Sequence, residues 1–325
     1  VRLSDRELRD ELERALGSVG LVLAGESERR SSPYRTSFPI EKVRVEIEGE
    51  GEMTLACKRL DWEELDPEAR LAKPRFLHDP EREPAVYAGL LPQAPPGPPR
   101  HFGSATQPGR HCLFVEWVQG RELFQVGERE LWEEAARWLG RFHAAMAPEL
   151  ERHRSRGRLI DHDASFHRAW MERAREFAGG SAAATTGVQR SAVGWLAERH
   201  EAVVEALLAL PRTVLHGEFY AANVLVATDT SVPRVAPVDW EIAAAGPGVS
   251  DLAALVSGEW SPRDREAIAA AYAGVGGASL MGLEHARLQV AIQWLGWAPP
   301  EWQPPEEQRH DWLGEAVGLA EGLDL

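Results

Sequence analysis

Two stretches constrain this chain more than any other: V-L-H-G-E-F-Y-A-A-N-V-L at residues 214–225 and A-P-V-D-W-E at 236–241. Val214-Leu215 and Val224-Leu225-Val226 are apolar, so both ends of the intervening loop are anchored. Gly217 supplies a backbone shape that a Cβ forbids. The run Arg234 to Val238 reads as a strand and ends on Asp239. A fold that honours these signals brings an acid (Glu218), an amide (Asn223) and a second acid (Asp239) to the ends of short strands. Alone, H-G-E-x-x-x-x-N reads equally well as an ordinary turn with a structural Asn.

Together the residues carry the parts that phosphoryl transfer from a nucleotide needs. One carboxylate orients the attacking hydroxyl, while an amide oxygen and a second carboxylate hold magnesium against the phosphates. Magnesium prefers oxygen ligands and keeps waters, so one carboxylate and one amide suffice. Glu241 is placed to reach the metal or a phosphate-bound water, or else to be a solvated acid. Asp251, in G-P-G-V-S-D-L-A-A-L, precedes an apolar helical start. It reads as a helix cap or, preferably, as a buried brace that accepts from the His216 turn. His216 reads as a loop organiser rather than a general base.

The 325 residues, 44% of them hydrophobic, suffice for a sizeable core and fit two lobes. The net charge of −15 argues against nucleic-acid or acidic-membrane partners. Only Cys57 and Cys112 are present, both in strand-like runs, with no disulfide or metal spacing. No apolar signal segment or membrane-length run is visible, so the expected location is cytoplasmic.

Helical periodicity over residues 1–18 puts Leu8, Leu12 and Leu16 on one face, with Ser4 and Glu7 as a capping box. Strands follow around 38–47 and 53–60, joined by the E-G-E-G turn, and Lys58 interrupts the second apolar run. A charged segment, 61–82, leads to a helix bearing Glu83, Val86, Tyr87 and Leu90. Residues 91–100 are a Pro-rich loop, and 111–118 a strand broken at Gln119-Gly120. From Glu128 the pattern is mostly helical, with further helices at 165–178, 190–210, 262–274 and 283–297. Residues 179–187 read as a flexible loop. The strand-rich third thus gives way to a helix-rich remainder near Gly120.

The chain resembles the aminoglycoside phosphotransferase and choline kinase family, small-molecule kinases with the protein-kinase fold. The resemblance spans roughly Ser31 to Trp297. It rests on A-C-K-R-L around Lys58, E-x-x-V-Y-x-x-L-L from Glu83, L-F-V-E-W-V-Q-G, L-G-R-F-H-A, H-G-E-F-Y-A-A-N-V-L, V-D-W-E and D-L-A. It implies an α+β, bilobal protein-kinase-like fold. Residues 1–118 would form a small strand-rich nucleotide-binding lobe, and 119–325 a larger, mostly helical lobe. It also implies ATP or GTP and Mg²⁺ as cofactors, with Glu218 in the catalytic-base position and Asn223 and Asp239 as magnesium ligands. Lys58 matches the phosphate lysine, paired with Glu83, or alternatively Glu81. The carbonyl of Glu116 and the N–H of Val118 match the adenine-binding positions. Ser31 to Ser37 lies where a phosphate-covering loop belongs, though it has no glycine.

The family usually has Asp where this chain has Glu218. One extra methylene displaces the carboxylate, and a misplacement of about 1 Å can cost roughly 10²-fold. A slightly wider loop removes that cost, so an active enzyme is expected; a nucleotide-binding pseudokinase is the rival. A protein kinase is disfavoured, because D-W-E replaces D-F-G and no A-P-E element follows. The expected partner is a small-molecule hydroxyl acceptor, bound by a monomer or homodimer. Candidates for its pocket are Asp161, His162, Asp163, His167, Trp170, Glu259, Trp260, Gln293, Trp294 and Trp297. Trp132 and Trp138, two of twelve tryptophans, are expected in the core.

Overall fold

The computed structural model describes residues 3–25, 28–31, 37–179, 186–227, 233–297 and 310–325. Helix α1 (Asp5–Ser18) opens with the expected capping box, in which the Ser4 hydroxyl accepts from Glu7 N–H and the Glu7 carboxylate from Ser4 N–H. Strands β1 (Glu28–Ser31), β2 (Ile40–Ile47) and β3 (Gly51–Arg59) follow. After them come the short helix α2 (Pro67–Ala72), α3 (Arg82–Gly89), β4 (His101–Gln107) and β5 (Arg110–Glu116). The five strands form one antiparallel sheet in the order β1-β2-β3-β5-β4.

Strand alternation decides what the sheet's two faces do. On one face Val43, Val45, Leu55, Cys57, Phe102, Cys112 and Phe114 bury against Leu8, Leu12 and Leu16 of α1. Because successive side chains point to opposite faces, Lys58 is turned away from α1, toward α3 and the rest of the molecule. Both cysteines are buried and free. Helix α1 lies very close to β4 at Gly103, which has φ +113°, and a Cβ there would sit 1.9 Å from the Ala15 carbonyl oxygen.

The remainder is mostly helical, as expected. It comprises β6 (Gly120–Glu122), α4 (Arg129–Met146), α5 (Leu150–Arg154), β7 (Ile160–Asp161), α6 (Ala164–Gly179) and α7 (Gly187–Leu208). Then come β8 (Arg212–Leu215), β9 (Val224–Ala227), β10 (Arg234–Pro237), β11 (Ala244–Pro247) and α8 (Val249–Val256). Helices α9 (Pro262–Ala273), α10 (Leu283–Trp297) and α11 (Trp312–Gly322) complete the chain. Helix α10 is central, packed on α6, α7, α8 and α11. Two small sheets, β10-β9-β6 and β7-β11-β8, carry the loops that matter for function.

Of the sequence expectations, the flexible-loop reading falls mostly on 180–185, outside the described residues. Trp138 is core, stacked on Phe142. Trp132 is not; it is half-buried and lines a cavity, because its helix stands at the cavity's edge. No helix among the described residues is long and apolar enough to cross a membrane. Gly103→Ala should destabilise the fold by about 2 kcal/mol or more, since the helix must retreat or the backbone strain. Urea denaturation monitored by circular dichroism checks this.

Candidate active site

Strand β8 ends at Leu215 and the chain turns at once through His216-Gly217-Glu218. Gly217 has φ +92°, and a Cβ there would lie 2.2 Å from the Ile242 carbonyl oxygen, so only glycine fits. The turn is held from behind by Asp251, buried on α8. Its carboxylate accepts the N–H of His216 at 2.7 Å and of Gly217 at 2.9 Å. It also meets His143 Nε2 at 3.1 Å, and the other ring nitrogen of His143 is 2.9 Å from the Tyr272 hydroxyl. The bracing role read from sequence is therefore what the geometry shows, while the residue before α8 is Gly248.

His216 organises the loop. Its Nδ1 accepts the Glu218 N–H at 3.3 Å, so Nε2 carries the proton and donates to the Val238 carbonyl at 2.9 Å. Burial pushes its pKa down, which keeps the ring neutral. Asn223 donates from Nδ2 to the Glu218 carbonyl at 3.0 Å, which directs its amide oxygen away from that carbonyl. Its backbone carbonyl accepts Val238 N–H at 2.9 Å, linking the loop to the end of β10.

Asp239 follows one residue later with φ +66°, a left-handed conformation unusual outside glycine. The partners around it hold that backbone. Lys58 Nζ lies 2.6 Å from Asp239 Oδ1 and 2.7 Å from Glu83 Oε2, and Glu83 Oε1 accepts Trp240 N–H at 3.2 Å. Burial alone would strip Lys58 of its proton, but the Asp239 and Glu83 carboxylates hold it charged. Burial would likewise lift the Asp239 carboxyl; Lys58 overcomes this and holds it below the usual range. Glu83, not Glu81, is thus the lysine's partner. Glu81 pairs with Arg158.

Sequence reasoning missed a second buried lysine. Lys73, just after α2, pairs with Glu241, whose side chain is 8% exposed. The solvated-acid reading of Glu241 is corrected by this pairing. Lys58 and Lys73 lie over the same Phe38 ring, 5.5 and 5.2 Å from its centroid. Lys73 sits inside a run read only as charged, and nothing in its spacing marks it. Arg82 is also buried, donating to the carbonyls of Leu77, Arg158 and Glu241.

Glu218, Asn223, Asp239, Glu241, Lys73 and Ser37 line one cavity of about 720 Å³. Glu218 is partly covered, and loss of hydration pushes its pKa up to about 8, opposed by Lys73 and assisted by Glu241 and Asp239. Glu116 and Val118 do not line this cavity. They end β5 and begin the link that follows. Glu116 pairs with Arg234 of β10 at 2.6 Å, and Val118 packs on Ala227 and Ala236. Residues 32–36 of the expected phosphate-covering loop lie outside the described residues.

Of the acceptor candidates, His162, Trp170, Glu259, Trp260, Gln293, Trp294 and Trp297 line the cavity. Asp161 does not; it is bound by Arg154 and Arg212. Asp163 accepts Phe166 N–H at the start of α6, and His167 is buried behind the wall. Tyr220, Trp132, Trp312 and His310 also line it and were not foreseen as such. The terminal helix carrying Trp312 has no strong periodicity to announce it.

Bilobal architecture, a lysine–glutamate pair beneath the sheet, and an acid-and-amide loop facing a second acid define a kinase-like phosphotransferase. The phosphotransferase enzyme family (APH) matches residues 44–289, and the chain belongs to that family. It is accordingly an enzyme that transfers phosphoryl groups to small-molecule alcohols. Similar solved structures include a GDP complex of aminoglycoside 2'-phosphotransferase-IIIa, at 11% identity and TM-score 0.59, covering 98% of this chain and 97% of that one. Macrolide 2'-phosphotransferase MphH from Brachybacterium faecium is 19% identical with TM-score 0.55, covering 88% and 97%. An ethanolamine kinase from Plasmodium vivax is 11% identical with TM-score 0.58, covering 92% and 82%. No curated protein sequence matches the chain.

Asp251→Ala would leave two backbone N–H groups and His143 without their buried acceptor. The expected loss is about 2–4 kcal/mol of unfolding free energy. Asp251→Asn, which keeps one acceptor oxygen, should lose less in the same urea titration.

Proposed function

We propose that the chain moves the γ-phosphoryl group of ATP, or of GTP, to a hydroxyl of an amino sugar, an aminoglycoside-like compound or an amino alcohol. The observation that supports this best is the convergence of Glu218, Asn223 and Asp239 on one cavity, with Asp239 tied to the Lys58–Glu83 pair. Solved structures of similar fold that hold GDP or ADP agree with a nucleoside triphosphate donor. In this reading residues 1–118 bind the nucleotide and 119–325 present the acceptor.

Glu218 orients the acceptor hydroxyl and takes its proton. Lys58, braced by Glu83, faces the nucleotide phosphates, and Ser37 contributes at their outer side. The Glu116 carbonyl and Val118 N–H take the adenine edge. Among the described residues no cluster of three His, Cys, Asp or Glu side chains could hold a metal alone. One carboxylate and one amide oxygen suit a small hard cation that keeps waters and shares phosphate oxygens. Asn223 and Asp239 would hold Mg²⁺, which neutralises phosphate charge when bound. Lys73 holds Glu241 beside the base and adds a positive charge where the reacting groups gather.

Glu218→Gln should lower turnover by roughly 10²-fold or more while leaving Mg-ATP affinity unchanged. Retained turnover would refute the base assignment, and a wild-type chain that binds Mg-ATP without turnover would be a pseudokinase. The base must be ionised, and its carboxyl titrates at about 8. Hence kcat/KM should climb with pH up to about 8 and level off above it. Lys73→Met leaves Glu241 buried beside the base without its counter-charge. Steady-state assays should show kcat/KM falling by roughly 10–100-fold.

A further inference from the structure

The cavity's far wall is made of indoles. Six of the chain's twelve tryptophans line it among the described residues: Trp132, Trp170, Trp260, Trp294, Trp297 and Trp312. They are arranged in pairs. Trp294 stacks on Trp312 at 5.2 Å and 8°, Trp170 stacks on Trp297 at 5.6 Å and 15°, and Trp132 meets Trp260 edge-on at 4.6 Å. The wall starts beside the reacting groups, because Tyr220, two residues after Glu218, lies 5.2 Å from Trp294. Five of the six indoles are only partly buried, so apolar ring surface is open to the cavity.

The charges facing this wall are largely answered already. Lys58 takes Asp239, and Lys73 takes Glu241. Glu259 is exposed at the rim. A site for a polycation needs several acids free to face it, whereas here the deep acids have resident partners. Size speaks against the smallest acceptors. A cavity of about 720 Å³ matches the range that holds drug-sized ligands and leaves a free amino alcohol mostly surrounded by water.

We infer that the acceptor is a ring-bearing compound, uncharged or singly charged, that carries its hydroxyl on or next to a ring whose apolar face stacks on the Trp294 and Trp297 indoles. This rests on the phosphotransfer reading of the same cavity and narrows its acceptor. The hydroxyl would point to Glu218 while the ring body lies along the wall, and removal of indole surface from water supplies the affinity.

The full-length chain is titrated without nucleotide with phenyl β-glucoside, kanamycin and ethanolamine, reading tryptophan fluorescence. Each compound is then assayed as acceptor with Mg-ATP. The glucoside should change the fluorescence saturably and be phosphorylated with kcat/KM at least roughly ten-fold above the other two. Trp294→Ala should raise its KM roughly ten-fold or more, and Trp294→Phe, which keeps a ring, should recover most of that loss. A preference for kanamycin or ethanolamine overturns the inference. So does the absence of a saturable fluorescence change with the glucoside, or a Trp294→Ala KM within two-fold of wild type. Because the fluorescence arm needs no nucleotide, ring binding is judged separately from phosphotransfer, whose own failure would show as lost Mg-ATP affinity.

Discussion

The Lys58 ammonium, shared between Glu83 and Asp239, is the interaction on which the rest of the site depends. It joins three segments distant in sequence: a sheet strand, the helix α3 and the end of β10. Burying these charges costs several kcal/mol per ion, and the Coulomb gain offsets it only because the geometry is close and the remaining lone pairs are used. Glu83 uses its second oxygen on Trp240 N–H, and that same contact fixes the residue after Asp239. The pair therefore sets the left-handed turn that presents Asp239 to the cavity. Removing any member would leave an uncompensated charge in a place built around three.

Much of this was legible in the sequence because it is carried by local rules. The glycine of the His-Gly turn, the apolar runs on either side of it and the strand ending on Asp239 each have a short-range signature. Period-two alternation placed Lys58 opposite Cys57, which is enough to turn it away from α1. Order and spacing then supplied the family, and with it the bilobal fold. Asp251 was legible for a related reason: a carboxylate inside an apolar helix start needs a partner, and the adjoining turn has donors to spare.

What escaped the sequence depends on contacts between distant segments. Lys73 and Glu241 each look like surface charges, and only their meeting across the cleft buries both. Trp132 has the spacing of a core residue, yet its helix stops at the cavity's edge, so the indole faces open space. Asp161 looked available to a ligand until two arginines from other elements claimed it. The glutamate at position 218 belongs to the same category. Its extra methylene is a local fact, but its effect is set by Lys73 and Glu241, which arrive from elsewhere.

The Phe38 ring, 1% exposed, carries both ammonium groups against its π-surface. Two cations at one quadrupole repel each other, and each is held in place by its own carboxylate. The two ion pairs are thus mechanically one object: loosening either changes the field felt by the other. Substitutions at the two lysines should consequently be non-additive, and a change of the aromatic ring alone should disturb both anions at once.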